Sequence, residues 1–154
     1  MNRVLKRGDR DLHCQWGPPQ VDEERVRLFN EHRIARDLGD GSPVDADSYR
    51  SFLGDSCCNT VELSISMRGA LVAVAIMDVG AASTSAVYTH FDPLARRYSL
   101  GTYAVLKEIN WAIATKRQYV YLGMYVADNH HLNYKARYSP QQRLYDDRWI
   151  DFDG

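Results

Sequence analysis

A mixed α/β domain, with a mostly antiparallel sheet flanked by helices, is predicted by three features of the sequence. Residues 60–91 read as three consecutive strands joined by tight turns. Segments with helical spacing lie on both sides of that run, at 22–38 and 100–114. A chain of 154 residues with 45% hydrophobic content can bury one core without metal or disulfide staples, and no internal repeat divides it.

The first twenty residues lack an apolar period and end in Trp16-Gly17-Pro18-Pro19, so residues 1–20 are expected to form an arm ahead of a single domain spanning 21–154. A helix is expected from Asp22 to Leu38, with Val26, Phe29, Arg33 and Ala35 toward one side and acidic residues in the first turn, where the helix dipole favours them. Gly39-Asp40-Gly41-Ser42-Pro43 breaks it, and a short helix follows from Ala46 to Leu53. Thr60–Ser66 is a strand, Arg68-Gly69 turns the chain, and Ala70–Val79 is apolar on successive residues, as an interior strand covered on both faces must be. The small residues Gly80-Ala81-Ala82 lead into Ser83–Phe91, and such short connections predict an antiparallel meander. Helical spacing of Tyr103, Leu106, Lys107, Asn110 and Trp111 predicts a helix over Leu100–Ala114. A strand at Gln118–Val126, a short helix at His131–Tyr138 and a strand-like segment at Leu144–Ile150 complete the order.

The net charge of −1 hides an asymmetry: residues 1–95 hold 10 basic and 14 acidic side chains, residues 96–154 hold 9 and 6. That balance argues against a general nucleic-acid coat but allows a local basic face in the second half. No stretch is long and apolar enough to span a bilayer, and the polar start has no signal-peptide core, so a cytoplasmic protein without membrane association is expected. Cys14, Cys57 and Cys58 form neither a disulfide framework nor a metal-ligand spacing, and no metal site is expected.

Three motifs are more specific: Asp78–Pro93, Ser99-Leu100-Gly101 opening a helix, and Tyr119–Pro140 with its Tyr121-Leu122-Gly123 and Asn133-Tyr134-Lys135. In order and spacing they resemble the C-terminal domain of arginyl-tRNA protein transferases and their bacterial leucyl-tRNA relatives. The resemblance implies a GNAT-like acyltransferase fold, in which the fourth strand feeds a loop whose amides hold the acyl donor. It further implies an aminoacyl-tRNA-dependent aminoacyltransferase with aminoacyl-tRNA as co-substrate, no other cofactor, and a protein N-terminus, peptide or small molecule as amine acceptor. His90 departs from the pattern, which has a second aromatic there, and Asn129 and Leu132 stand where relatives carry a cysteine and a methionine. The family's cysteine-rich N-terminal domain is expected to be absent, because only about twenty residues precede the first expected helix. A homodimer would enlarge the surface available to tRNA.

The ester of an aminoacyl-tRNA is already activated, so positioning, a free amine and oxyanion stabilisation are the requirements, and a covalent nucleophile is not. Asp78, at the end of an apolar strand, suits either a role in orienting or deprotonating the amine or the satisfaction of a turn amide. Tyr88 and His90 share one side of a strand by alternation, and His90 reads as either a base or a surface histidine. Ser99 can cap the helix, Gly101 permits close approach, and the amides of Leu100, Gly101 and Thr102 can hold a carbonyl or phosphate. Arg96 and Arg97 suit RNA phosphates or are plain loop charge.

Tyr121, Tyr125 and Tyr134 can wall a cleft or stack on the terminal adenine, or simply pack; Gly123 permits strand splaying or close ligand approach, and Asn129 lies in the same segment. The acidic acceptor terminus implied by the resemblance would engage Lys135 or Arg137, the other serving the acceptor stem, with Arg33 and Arg36 joining across the cleft. Two other classes remain open: an acetyl-CoA-dependent N-acyltransferase on the same fold, and a noncatalytic module binding aminoacyl-tRNA or protein. The single glycine in Arg96–Thr102 disfavours the first, because a CoA-binding loop is normally richer in glycine.

Overall fold

The computed structural model describes residues 1–152. Its elements in chain order are α1 (Asn2–Asp11), β1 (His13–Gly17), α2 (Glu23–Ala35), α3 (Ala46–Tyr49) continued by a π turn at Arg50–Gly54, β2 (Thr60–Met67), β3 (Ala70–Val79) and β4 (Ser83–Phe91). A 3-10 turn at Arg96–Tyr98 then leads into α4 (Leu100–Ala114) and β5 (Tyr119–Tyr121), followed by a 3-10 turn at Asn133–Arg137, β6 (Gln141–Tyr145) and β7 (Arg148–Phe152). The chain divides into two compact units, Met1–Tyr121 and the segment from Leu122 onward.

In the first unit one sheet runs β1-β2-β3-β4-β5, and every neighbouring pair is antiparallel except β4 with β5. The expected meander is therefore its centre. Alternation along β3 sends Ala73 and Ala75 into a cluster with Tyr98, Leu100, Tyr103 and Ala104, while Val74 and Ile76 meet Leu28, Phe29, Tyr49 and Leu53. Helix α4 thus covers one face of the sheet and α2 with α3 the other, which explains why β3 is apolar on successive residues.

Residues 1–20 are not an arm. β1 is an edge strand paired with β2 from His13↔Ser66 to Gly17↔Glu62, and Val4 and Leu5 of α1 pack against the α4-side cluster. A Cβ on Gly8 would lie 2.2 Å from the Tyr103 ring, so glycine is what lets α1 sit this close to α4. A helix with so few apolar residues has no visible apolar period, and its tertiary contacts, the fit of Gly8 against Tyr103 and the packing of Val4 and Leu5, hold it.

Helix α2 begins where its cap dictates, since Asp22 accepts a 2.8 Å hydrogen bond from the Arg25 N–H. Its buried residues are Arg25, Leu28, Phe29 and His32, not the expected stripe of Val26, Phe29, Arg33 and Ala35. The stripe rotates because Arg25 finds a carboxylate partner inside: its Nε lies 3.0 Å from Glu62 Oε1, and the Glu62 side chain is only 3% exposed.

The second unit departs further. The strand expected over Gln118–Val126 stops at Tyr121, and Gly123 takes a φ of 77°, which ends extended geometry. The helix expected at His131–Tyr138 is only the 3-10 turn, and Leu144–Ile150 spans a hairpin turn. Asp146 and Asp147 have φ of 46° and 60° there, the doubly left-handed turn that matches strand twist across two-residue loops.

Candidate active site

The site is built on β4. Its pairing with β3 slips between Ile76↔Tyr88 and Met77↔Ala86, so Val87 falls outside the register as a bulge, 43% exposed. On its other side β4 pairs with β5 only from Ser83↔Tyr119 to Ser85↔Tyr121. From Ala86 to Phe91 that edge has no strand partner among the described residues, and at Phe91 its backbone is met by the His32 ring.

Beyond Phe91 the chain turns at Asp92, whose carboxylate accepts from the Leu94 N–H at 2.8 Å, and reaches α4 through the 3-10 turn. Ser99 is left-handed at φ 50°, ψ 53°, and its side chain makes no cap, contrary to the expectation. In that conformation the hydroxyl does not reach the N2 or N3 amide, so the first-turn N–H groups of Leu100, Gly101 and Thr102 have no side-chain acceptor. Gly101 also has a different reason from the one expected: a Cβ there would sit 3.1 Å from Cε1 of Phe91, so the close approach it permits is that of the chain's own ring. Arg96 and Arg97 flank this helix start and are exposed. Arg96 Nε donates to the Pro93 carbonyl at 3.3 Å, and Arg97 lies over the Tyr98 ring at 4.6 Å.

The last turn of α2 meets the same end of β4 from the other face. Phe91 N–H donates to His32 Nδ1 at 3.3 Å, and the His32 ring lies 6.5 Å from Tyr88. Burial raises the pKa of the Tyr88 phenol, opposed by the charges of Arg33 and Arg36. Arg36 is exposed, and Arg33 donates to the Ser42 carbonyl at 3.0 Å while lying 5.7 Å from the Phe29 ring centre. Tyr88 thus stands, half-buried, beside two cations.

Two expected catalytic residues are engaged in the protein's own packing and hydrogen bonding. His90 faces neither cleft nor solvent; it is 0% exposed, edge-on to Phe29 at 5.4 Å and to Tyr49 at 5.7 Å. Desolvation lowers its pKa to about 3, helped by the nearby charge on His32 and Arg25, so it stays neutral and serves packing. Asp78 pairs with Ser85, at the opposite end of β4 from Phe91, which pairs with Ala73. Five residues of strand, roughly 16 Å, separate it from the end where α4 begins. Its carboxylate accepts from Thr60 Oγ1 across the β2–β3 pair.

Tyr121 closes the first unit, 39% exposed and stacked on Tyr119 with ring centres 6.5 Å apart. In the second unit Tyr125 does not offer both faces to a base, because the Arg143 guanidinium lies 3.6 Å from its ring centre. Lys135 is 9% exposed and donates Nζ to the Met124 carbonyl at 2.7 Å, and burial lowers its pKa. It holds the backbone after Gly123 and is not displayed to an acidic acceptor. Asn129 accepts from the His131 N–H at 2.9 Å in a local turn, Tyr134 lies edge-on to Tyr138 at 6.4 Å, and Arg137 is exposed. A Cβ added to Gly123 would meet nothing within 4 Å, so the positive φ, not close approach, is what calls for glycine there.

The family described as arginine-tRNA-protein transferase, C terminus, matches residues 24–145. This chain belongs to that family. The aspartate/glutamate leucyltransferase of Vibrio cholerae is 36% identical over 148 residues, covering 96% of this chain and 63% of the relative. That of Saccharophagus degradans is 38% identical over 133 residues, covering 84% and 56%. The chain therefore spans about three fifths of the length of the curated relatives it matches. Among solved structures, an aminoglycoside acetyltransferase from a soil metagenome superposes with a TM-score of 0.59 at 11% identity, over 95% of this chain and 97% of the other. At that identity the likeness concerns the fold, and the fold is GNAT-like.

Within this transferase-family chain, neither Glu62 nor a second buried carboxyl, on α4, was expected from the sequence. Glu108 of α4 is 0% exposed, neither oxygen has a hydrogen-bond partner, and desolvation raises its pKa to about 8. Thr84 Oγ1 is likewise buried and unpartnered, and alternation from Ala75 through Met77 and Val79 puts Thr84 on the α4 face of the sheet. The signal was the spacing Ala104, Glu108, Ala112, a four-residue stripe with two buried alanines around the acid. A broad depression of about 460 Å³ lies elsewhere, lined by Val21, Asp22, Val26, Asn30, Ala46 and Arg50, and includes none of the sequence-predicted residues.

Proposed function

We propose that this chain transfers an aminoacyl group from an aminoacyl-tRNA to the α-amine of a peptide or protein whose first residue is acidic. The observation that carries the reading is the uncapped start of α4 beside the open edge of β4. Free amides at a helix N-terminus favour a carbonyl oxygen that becomes anionic, because the helix dipole and the donors act on charge that develops in the transition state. Arg96 and Arg97 would receive phosphates of the tRNA acceptor end, and the β4 edge would align the extended aminoacyl ester.

The amine attacks the ester carbonyl, forming the new N–C bond and a tetrahedral oxyanion; the nitrogen sheds one proton, and collapse breaks the C–O bond to the ribose, whose oxygen takes up that proton and leaves as a hydroxyl. A peptide α-amine has a pKa of about 7.7–8.0, so a useful fraction is free near neutrality and no strong base is required. That suits a site in which neither Asp78 nor His90 is at hand. Tyr88, whose phenol burial keeps neutral, is suited to donate a hydrogen bond to the oxyanion or the departing oxygen. Arg33 and Arg36 beside it would bind the side-chain carboxylate of the acceptor. The names of the relatives favour leucine as the group transferred and aspartate or glutamate as the acceptor.

The test is incubation with labelled leucyl-tRNA, arginyl-tRNA or acetyl-CoA, each with peptides beginning in Asp, Glu or Ala. Label transfer from leucyl-tRNA to the acidic peptides is expected. Consumption of acetyl-CoA alone would overturn the reading.

A further inference from the structure

Helix α1 carries six charged side chains in ten residues. Its two acids are drawn toward the rest of the unit. Asp9 accepts from the Tyr103 hydroxyl at 2.9 Å and from Lys107 Nζ at 3.3 Å, and Asp11 accepts from the Tyr98 hydroxyl at 3.2 Å and from Arg10 Nε at 2.8 Å. The four bases, Arg3, Lys6, Arg7 and Arg10, are exposed and recur at i, i+3, i+4 and i+7, so they form one stripe along the helix. Seven residues of helix extend roughly 10 Å, a length that covers two neighbouring phosphates of a nucleic-acid strand.

The stripe is fixed in place relative to the proposed donor site. Gly8 sits against the ring of Tyr103 in the first turn of α4, and Arg7 donates to the carbonyl of Arg97. Lys107 and Asp9 add an ion pair at 3.3 Å. Arg7 thus joins Arg96 and Arg97 at the end of α4 whose amides are uncapped, and Arg3, Lys6 and Arg10 extend from it along the exposed face of α1. In a chain of net charge −1, a four-cation stripe on α1 anchored through Arg7 to the Arg96–Arg97 turn makes a local field that composition does not disclose.

We propose that α1 is an RNA-backbone clamp: Arg3, Lys6, Arg7 and Arg10, together with Arg96 and Arg97, grip the sugar-phosphate backbone of the tRNA acceptor stem and present its aminoacylated end to α4. The proposal rests on the donor assignment made above and adds the surface that holds the RNA. It involves charge and not sequence, so it is indifferent to which bases lie in the stem.

The experiment measures binding of fluorescent deacylated tRNA by anisotropy across a salt series, with the full chain and an Arg3→Gln/Lys6→Gln variant. Each lost phosphate contact lowers the salt slope by about 0.7–0.9, so the variant should lose roughly 1.5 from the slope and about tenfold in affinity at low salt. Lys116→Gln, just past the far end of α4, should leave both unchanged, and Arg3→Lys/Lys6→Arg should retain wild-type binding. Unchanged thermal unfolding of the variant checks that the helix is intact. Equal affinity and slope for variant and wild type would overturn the clamp, as would binding to phosphatidylglycerol vesicles with none to tRNA. Because the RNA carries no amino acid, the result is independent of transfer: a chain that binds tRNA through α1 but moves no aminoacyl group would refute the catalytic reading and leave the clamp standing.

Discussion

The two layers that cover the sheet treat buried polar groups differently. On the α2 side, Arg25 and Glu62 are paired and further bonded to Asp22 and the Gln20 N–H, and His32 is joined to the backbone of Phe91. On the α4 side, Glu108 and Thr84 have no partner and the helix starts without a cap. The difference teaches which layer holds the domain together and which keeps hydrogen-bonding capacity in hand. His90 is the exception on the α2 side, tolerated because its ring is neutral and surrounded by aromatic edges.

The largest effect is expected at Arg25. Arg25→Ala would leave the Glu62 carboxylate buried without its cation and should cost about 4 kcal/mol in urea unfolding. A loss under roughly 1 kcal/mol would mean that the α2 layer does not depend on the pair. Glu108→Gln probes the opposite layer. The wild-type acid stays protonated in the folded state up to about pH 8 but ionises near 4.5 when unfolded, so stability falls as pH rises through that window and is level above it. Relative to wild type, the variant should gain about 4 kcal/mol between about pH 5 and pH 9; parallel pH profiles would show that Glu108 is ionised and satisfied.

His90 has the reverse sign. Its folded pKa of about 3 lies below the unfolded 6.5, so its contribution is complete above 6.5 and is lost as pH falls toward 3. His90→Phe should add about 2 kcal/mol near pH 5 while leaving the proposed aminoacyl transfer unchanged. A large fall in turnover would restore His90 as a participant. The smallest effect belongs to Ser99. Because its hydroxyl caps nothing, Ser99→Ala should miss the usual loss of about 1 kcal/mol for a helix cap. Ser99→Gly should gain a few tenths to about 1 kcal/mol by relieving the left-handed backbone. A full cap-sized loss in the alanine variant would show that the hydroxyl does bond an amide.

The meander and α4 were legible in the sequence because their signals are local. β3, β4 and α4 begin and end at the residues expected, where small-residue turns and apolar spacing agree. The ordered motifs that carry the family likeness were legible too, although the reasons for Ser99 and Gly101 were not, since they depend on a backbone angle and on the position of the Phe91 ring. Asp78 and His90 looked catalytic because a polar residue in an apolar strand is conspicuous. Which end of β4 each faces follows only from register, and one bulge at Val87 changes the faces on either side of it.

Helix α1 and β1 were hidden for the converse reason. Few apolar residues and a Gly at position 8 leave no period to read, and the segment is held by docking against Tyr103 and by pairing with β2. By itself, then, the sequence determined the family, the meander and the helix that starts the proposed donor site, because short-range spacing and turn chemistry encode them. Only the tertiary structure decided which charges are buried, which amides stay open and which cations gather beside them, because these depend on partners far apart in the chain and the protein interior makes every unpaired polar group costly.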